Sequence, residues 1–164
     1  MNAGAAHDVV LLRDFAAPPA AVFRAWTEPS LFARRFGPQG IRVRMTADVR
    51  AGGRYALVLH GEDGRSYPLK GDYGEIVADR HLLMRCNWEV HPADWKQGMA
   101  ALGAAPGMAE EMLWLVDFAA TQAGCRQTPT CRFADAAMRE AHVAAGIEQG
   151  WRSGFDKLDE LLAE

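Results

Sequence analysis

Three side chains are candidates for proton chemistry, Glu75, His60 and His142. A carboxyl or imidazole enclosed in a site acts as general acid or base once burial moves its pKa toward the working pH. None of the three is spaced as a dyad with another, and His60 reads more readily as a surface residue flanking a turn. The five histidines, His7, His60, His81, His91 and His142, contain no i, i+4 pair. Cys86, Cys125 and Cys131 form no Cys-x-x-Cys, so no metal centre and no disulfide framework is expected. Cys86 and Cys131 read as small buried apolar groups. No Gly-x-Ser-x-Gly elbow, Walker loop or dinucleotide fingerprint occurs, and Gly52-Gly53 and Gly61…Gly64 are turn glycines. No cofactor is expected.

The rest of the composition bounds the partners. The chain has 164 residues, the size of one domain, and 49% are hydrophobic. Eighteen Lys and Arg against 21 Asp and Glu leave a net charge of −3, which argues against a general nucleic-acid binder. Apolar runs such as Val9–Leu12 fall far short of the ~20 residues of a membrane span. Met1 to Asp8 shows neither a basic n-region nor a cleavable apolar stretch. The expectation is one soluble, cytoplasmic domain over residues 1–164.

The elements that must position a site follow from periodicity. Val9–Phe15 reads as a strand, stopped by Pro18-Pro19, with Pro19 suited to a first helical turn. Val22, Phe23 and Trp26 share a helix face that Thr27-Glu28-Pro29 ends, and Leu31, Phe32 and Phe36 predict a second short helix. Alternating segments follow at Ile41–Val49, Arg54–His60, Tyr67–Val77, His81–Glu89, Met112–Ala120 and Cys125–Phe133, separated by Gly- and Asp-rich turns. Pro129 lacks an N–H, so the last strand is expected to be locally an edge or to end early. Ile147, Trp151, Phe155, Leu158, Leu161 and Leu162 form one apolar stripe of a long terminal helix. Gly146, Gly150 and Gly154 form a second stripe, either a close contact or room beside the helix, unless Gly146 only precedes it. A sheet wrapped around such a helix is an α+β solution to burying the stripe.

At this point the order of motifs resembles a known family. Arg13-Asp14-Phe15 with Ala17-Pro18, then Val22-Phe23, Ala25-Trp26-Thr27 and Pro29, is similar to the opening of the activator of heat-shock protein 90 ATPase-like family. That family lies within the START-like (SRPBCC, pollen-allergen-like) superfamily of helix-grip proteins. Phe36-Gly37-Pro38 resembles its Trp-Trp-Gly-Pro motif, with Arg35-Phe36 in place of the aromatic pair. Gly52-Gly53-Arg54-Tyr55, Gly61-Glu62-Asp63-Gly64, Gly71-Asp72-Tyr73-Gly74-Glu75-Ile76, Trp88 and Gly150-Trp151 continue the pattern. The resemblance implies a β-α-α-β6-α helix-grip fold, a curved antiparallel sheet around a long C-terminal helix, with a hydrophobic cavity between them. Residues 91–111 depart from the family pattern as an insertion between the fifth and sixth strands, and Gln127-Thr128-Pro129 weakens the last one.

Alternation assigns the faces of that sheet. Tyr55, Leu57 and Leu59 share one face, as do Tyr67, Leu69, Gly71 and Tyr73, then Leu82, Met84, Cys86 and Trp88, then Trp114, Val116 and Phe118. Lys70, Asp72, Arg85 and Asp117 mark the opposite, solvent face. The candidate ligand-binding residues are Phe32, Phe36, Tyr55, Leu57, Tyr73, Met84, Trp88, Trp114, Trp151 and Phe155, with Glu75 as the polar anchor. The same residues also suit a packed core. Glu75 is in phase with Tyr73, unless a bulge at Gly74 turns Ile76 inward instead; Gln127 is in phase with Cys125.

In a meander the connections after the third, fifth and seventh strands share one end, which groups His60–Ser66, His91–Glu111 and Ala134–Ala145. In the longest of them Trp95, Met99 and Leu102 recur at helical spacing behind a capping Asp94, a small helix that covers the cavity mouth, meets a second subunit or patches exposed core. The leading function is binding of a small apolar or aromatic molecule by a monomer or homodimer. Alternatives are a cyclase, aromatase or dehydratase in the same cavity, or a co-chaperone-like module meeting an acidic partner through Arg34-Arg35 and Arg42/Arg44.

Overall fold

The structure is a computed structural model that describes residues 6–164, so the reading of Met1–Asp8 falls mainly outside the described residues. The order is β1 (Asp8–Val10), β2 (Arg13–Phe15), α1 (Pro19–Thr27), α2 (Pro29–Arg35), β3 (Arg42–Ala47), β4 (Arg54–His60), β5 (Ser66–Val77) and β6 (His81–Asn87). Then come α3 (Ala93–Ala101), β7 (Glu111–Ala120), β8 (Cys125–Phe133), α4 (Ala136–Ala144) and α5 (Ile147–Leu162). The eight strands form one antiparallel sheet in the order β1-β8-β7-β6-β5-β4-β3, with β2 also on β8. This is the α+β helix-grip fold. Residues of α5 reach the sheet's inner face at Trp114, where Trp151 meets it edge to face with centroids 5.5 Å apart. Phe155 meets Phe15 of β2 in the same geometry at 6.4 Å.

The predicted first strand is two strands, and Pro129 explains the break. Val10 lies opposite Thr130 and Arg13 opposite Gln127, one unbroken register. Leu11 donates to the Pro129 carbonyl at 2.9 Å, but Pro129 has no N–H to return. β8 does not end early, because it pairs β7 over its whole length, but the ladder on its other side breaks at Pro129, between β1 and β2. The missing bond interrupts its neighbour instead.

A second correction concerns Ala134–Ala145, expected as a connection. It folds as α4 because Asp135 accepts from the Met138 N–H at 2.8 Å, capping a helix that buries Met138, Ala141 and His142. A third concerns α3, which starts after Pro92 with no side-chain cap. Asp94 sits inside its first turn and pairs with Arg65, tying the insertion to the β4–β5 turn. Met99 is buried and Trp95 half-buried, whereas Leu102 is exposed. Among the described residues, no helix is long and apolar enough to cross a membrane.

Candidate functional site

The inner face of the sheet is filled at one end and hollow at the other. At the filled end Tyr55, Leu57, Tyr73 and Met84 are buried in the core with Phe32 and Phe155. At the hollow end a cavity of about 380 Å³ opens between the sheet and the first turns of α5. Its sheet wall is built from Leu59, Tyr67, Leu69, Trp88, Met112 and Trp114. Phe36, Gly37, Pro38 and Ile41 close one side, and Trp95 and His142 bring in α3 and α4. The helix contributes Gly146, Ile147, Gly150 and Trp151.

The glycines explain why the helix leaves space there. Gly146 is the N-cap of α5 with φ of 93°, a left-handed conformation that favours glycine. A Cβ on Gly150 would meet only Pro38 Cγ, at 3.8 Å, so this position leaves room beside the helix. A Cβ on Gly154 would lie 3.4 Å from the Arg35 carbonyl, so this glycine serves close contact with the end of α2. The two uses of the stripe divide along one helix.

Of the expected binding residues, Phe36, Trp88, Trp114 and Trp151 line the cavity. Phe32, Tyr55, Leu57, Tyr73, Met84 and Phe155 do not line it; they pack in the core beneath. Glu75 is a correction. Tyr73 lies opposite Met84 but Ile76 opposite Leu82, so a bulge intervenes, Ile76 turns to the core and Glu75 is exposed. It anchors nothing in the cavity. Of the acid–base candidates, His60 flanks the β4–β5 turn beside Ser66, at 3.1 Å. His142 stands in the cavity wall, joined by His91, a residue that its position in the sequence gave no reason to single out.

Both imidazoles are oriented by the backbone. His142 Nδ1 donates to the Met138 carbonyl at 2.9 Å, and His91 Nδ1 to the Pro68 carbonyl at 2.8 Å. Each ring therefore carries its proton on Nδ1 and keeps Nε2 as an acceptor. Burial pushes both imidazoles below their ordinary pKa, which holds them neutral. Aromatic contacts fix the rings, with Trp88 4.9 Å from His142 and Trp95 4.7 Å from His91. Trp114 adds an indole N–H that is buried and finds no hydrogen-bond acceptor among the described residues. Among the described residues, no Asp, Glu, Lys or Arg lines the 380 Å³ cavity. An apolar hollow with a few fixed polar atoms is the usual form of a small-molecule site.

The family model described as activator of Hsp90 ATPase homolog 1-like protein matches residues 16–163. The chain belongs to this family. Its fold is that of several solved bacterial structures. A crystal structure from Nitrosomonas europaea shares 25% identity at a TM-score of 0.80, over 97% of this chain and 96% of that one. A solution structure from Arthrobacter aurescens shares 22% at 0.80, over 96% and 87%. A crystal structure of an AHSA1 protein from Silicibacter pomeroyi shares 22% at 0.70, over 95% and 97%. No match is found among curated proteins.

Within this family member, the wall of the cavity rests on a layer containing a buried cation. Arg35 is 1% exposed, stacks on Trp26 at 3.9 Å and Phe32 at 4.5 Å, and among the described residues donates only to the Ala25 carbonyl, at 3.2 Å. Burial without a carboxylate pushes its pKa down. Trp26 donates in turn to Gln127 Oε1 at 2.6 Å and stacks on Trp151 of the cavity wall, 5.8 Å between centroids. Gln127 is thus inward, as its phase predicts. Arg34 pairs with Glu164 while Arg35 is buried, so the two do not form a basic surface patch; Arg42 and Arg44 are exposed on β3.

Under α3 lies a second cavity of about 240 Å³ that shares Trp88, Trp95 and His142 with the first. Lys96 and Glu110, paired at 2.7 Å, are part of its lining. The three thiols are buried, and burial pushes Cys86 up to about 12, so none is a nucleophile at neutral pH. Among the described residues no group of three or more His, Cys, Asp or Glu is gathered to hold a metal.

Proposed function

We propose that this family member is a cytoplasmic binding protein for a small apolar or aromatic molecule, held between the sheet and the N-terminal half of α5. Phe36, Trp88, Trp114 and Trp151 are the aromatic walls of that site. The observation that carries the reading is the 380 Å³ cavity itself, walled by aromatic rings at the point where α5 is reduced to glycine. On this reading residues 1–164 act as one domain, and the 91–111 insertion bounds the mouth through Trp95. A retained small molecule in the native mass spectrum of protein from its own cells, absent after Gly150→Leu, is the expected result. Protein that carries no extra mass, and whose tryptophan fluorescence no added aromatic hydrocarbon perturbs, overturns it.

One observation favours a second reading, catalysis in the same cavity. Two neutral imidazoles with free Nε2 atoms line it, and such a nitrogen serves as a general base. On this reading His142 takes a proton from the bound molecule. Turnover of a bound ligand that His142→Gln abolishes without weakening binding would establish it.

A further inference from the structure

Resting on the binding reading above, we infer that the ligand is uncharged and carries a hydroxyl or N–H group that donates a hydrogen bond to Nε2 of His142, with His91 as a second acceptor. The absence of charge in the wall carries the first half. A carboxylate or ammonium ligand would leave water for a surface with no Asp, Glu, Lys or Arg to meet it. Lys96 and Glu110, in the neighbouring chamber, pair with each other, and Lys157 behind the wall is held by the Phe36 and Gly37 carbonyls.

The orientation of the imidazoles carries the second half. Because Nδ1 of His142 serves the Met138 carbonyl, Nε2 is left as the ring's one remaining polar atom, and it is an acceptor. The ring is 7% exposed and wedged between Trp88 and Phe133, whose centroids lie 4.9 Å and 4.7 Å away. It cannot rotate to offer a donor without abandoning the carbonyl. His91 repeats the arrangement through the Pro68 carbonyl, between Tyr67 at 5.7 Å and Trp95 at 4.7 Å. Among the described residues nothing donates to either Nε2, so each is free to accept from a molecule in the cavity. Phenols, aromatic alcohols and indole-like N–H compounds are the class that meets both conditions.

Four probes of one size separate the possibilities by calorimetric titration at pH 7.5: 2-naphthol, 2-methoxynaphthalene, 2-naphthoate and 2-naphthylmethylammonium. The naphthol is expected to bind about tenfold more tightly than the methoxy compound, the worth of one hydrogen bond. Both charged probes are expected to bind more weakly than either. His142→Phe should erase the tenfold gap between the naphthol and the methoxy compound, while His142→Gln, which retains an acceptor, should keep part of it. The wild-type comparison stands even where a variant fails to fold. Equal affinity of the naphthol and methoxy compounds, or preference for naphthoate or the ammonium probe, overturns this inference and leaves the cavity a binding site. Failure of all four to bind overturns the binding reading and this inference with it.

Discussion

The two ends of the inner sheet face are made from the same strands and the same alternation, yet one is solid and the other hollow. Tyr55 and Leu59 lie on one face of β4; the first is buried in the core, the second lines the cavity. What differs is the facing helix. Opposite the solid end α5 presents Phe155 and Leu158, and opposite the hollow end Gly146 and Gly150 leave room beside Ile147 and Trp151. A period-two pattern decides which side chains point inward. Whether they meet a partner there is decided by the volume the helix brings.

The largest effect expected from this contrast is on stability. Phe155→Ala should lower the unfolding free energy by about 3–5 kcal/mol, because a close-packed site cannot collapse around the loss. Leu59→Ala, at a wall that already lacks partners on one side, should cost under about 2 kcal/mol. Urea unfolding of both variants checks the comparison, and equal losses would mean that the hollow end is as tightly packed as the solid one.

Within the solid end, two tyrosines sharpen the picture by moving in opposite directions. Tyr55 donates to the Arg85 carbonyl at 2.7 Å, so Tyr55→Phe should cost about 1 kcal/mol. The Tyr73 hydroxyl is buried and finds no partner among the described residues, and its burial pushes the phenol up to about 12. Tyr73→Phe removes a desolvated group that gains nothing and should stabilise by about 1 kcal/mol. A destabilising Tyr73→Phe would show that the hydroxyl has a partner after all.

How much of this is written in the sequence depends on the range over which each feature is determined. Arg54–His60 and Cys125–Phe133 are legible to the residue because alternation and turn glycines are local signals. The inward aromatics are legible for the same reason. Alternation leaves Glu75 and Ile76 as alternatives, and the bulge at Gly74 decides for Ile76 by adding one residue against β6, since a one-residue shift exchanges the faces. α4 escapes because alanine-rich Ala136–Ala144 carries a weak apolar stripe, although the Asp135 cap three residues before Met138 was a usable signal. For His91 and His142 the meander places only their two connections at one end of the sheet; that both rings enter one cavity wall has no sequence signature. It arises only when the insertion and α4 meet at the same end of the sheet.

Gly150 tests the hollow end directly. Gly150→Ala places a methyl 3.8 Å from Pro38 Cγ, an ordinary contact, and should raise stability by up to about 1 kcal/mol through helix propensity. Gly150→Leu should keep the fold and abolish binding of 2-methoxynaphthalene by filling the space. Gly154→Leu should instead destabilise, since even its Cβ lies 3.4 Å from the Arg35 carbonyl. If Gly150→Leu bound the probe unchanged, the ligand would have to lie elsewhere.

The smallest effect is expected with pH, and its sign follows from the same walls. Burial lowers the His91 and His142 pKa values in the folded protein, whereas in the unfolded chain both return to about 6.5. Between those values the unfolded chain binds more protons, so stability rises with pH. The contribution is complete above about pH 6.5 and is lost as pH falls through the folded-state values. Carboxylates held down by partners, such as Asp14 beside Arg126 and Glu89 beside Lys70, act in the same direction but only below the ordinary carboxylate range. The urea midpoint should therefore fall between pH 7 and 5.5, and fall less in His142→Phe. A midpoint that is flat or rises over that interval would mean that the two imidazoles are solvated, and that the hollow end is an open cleft rather than a walled site.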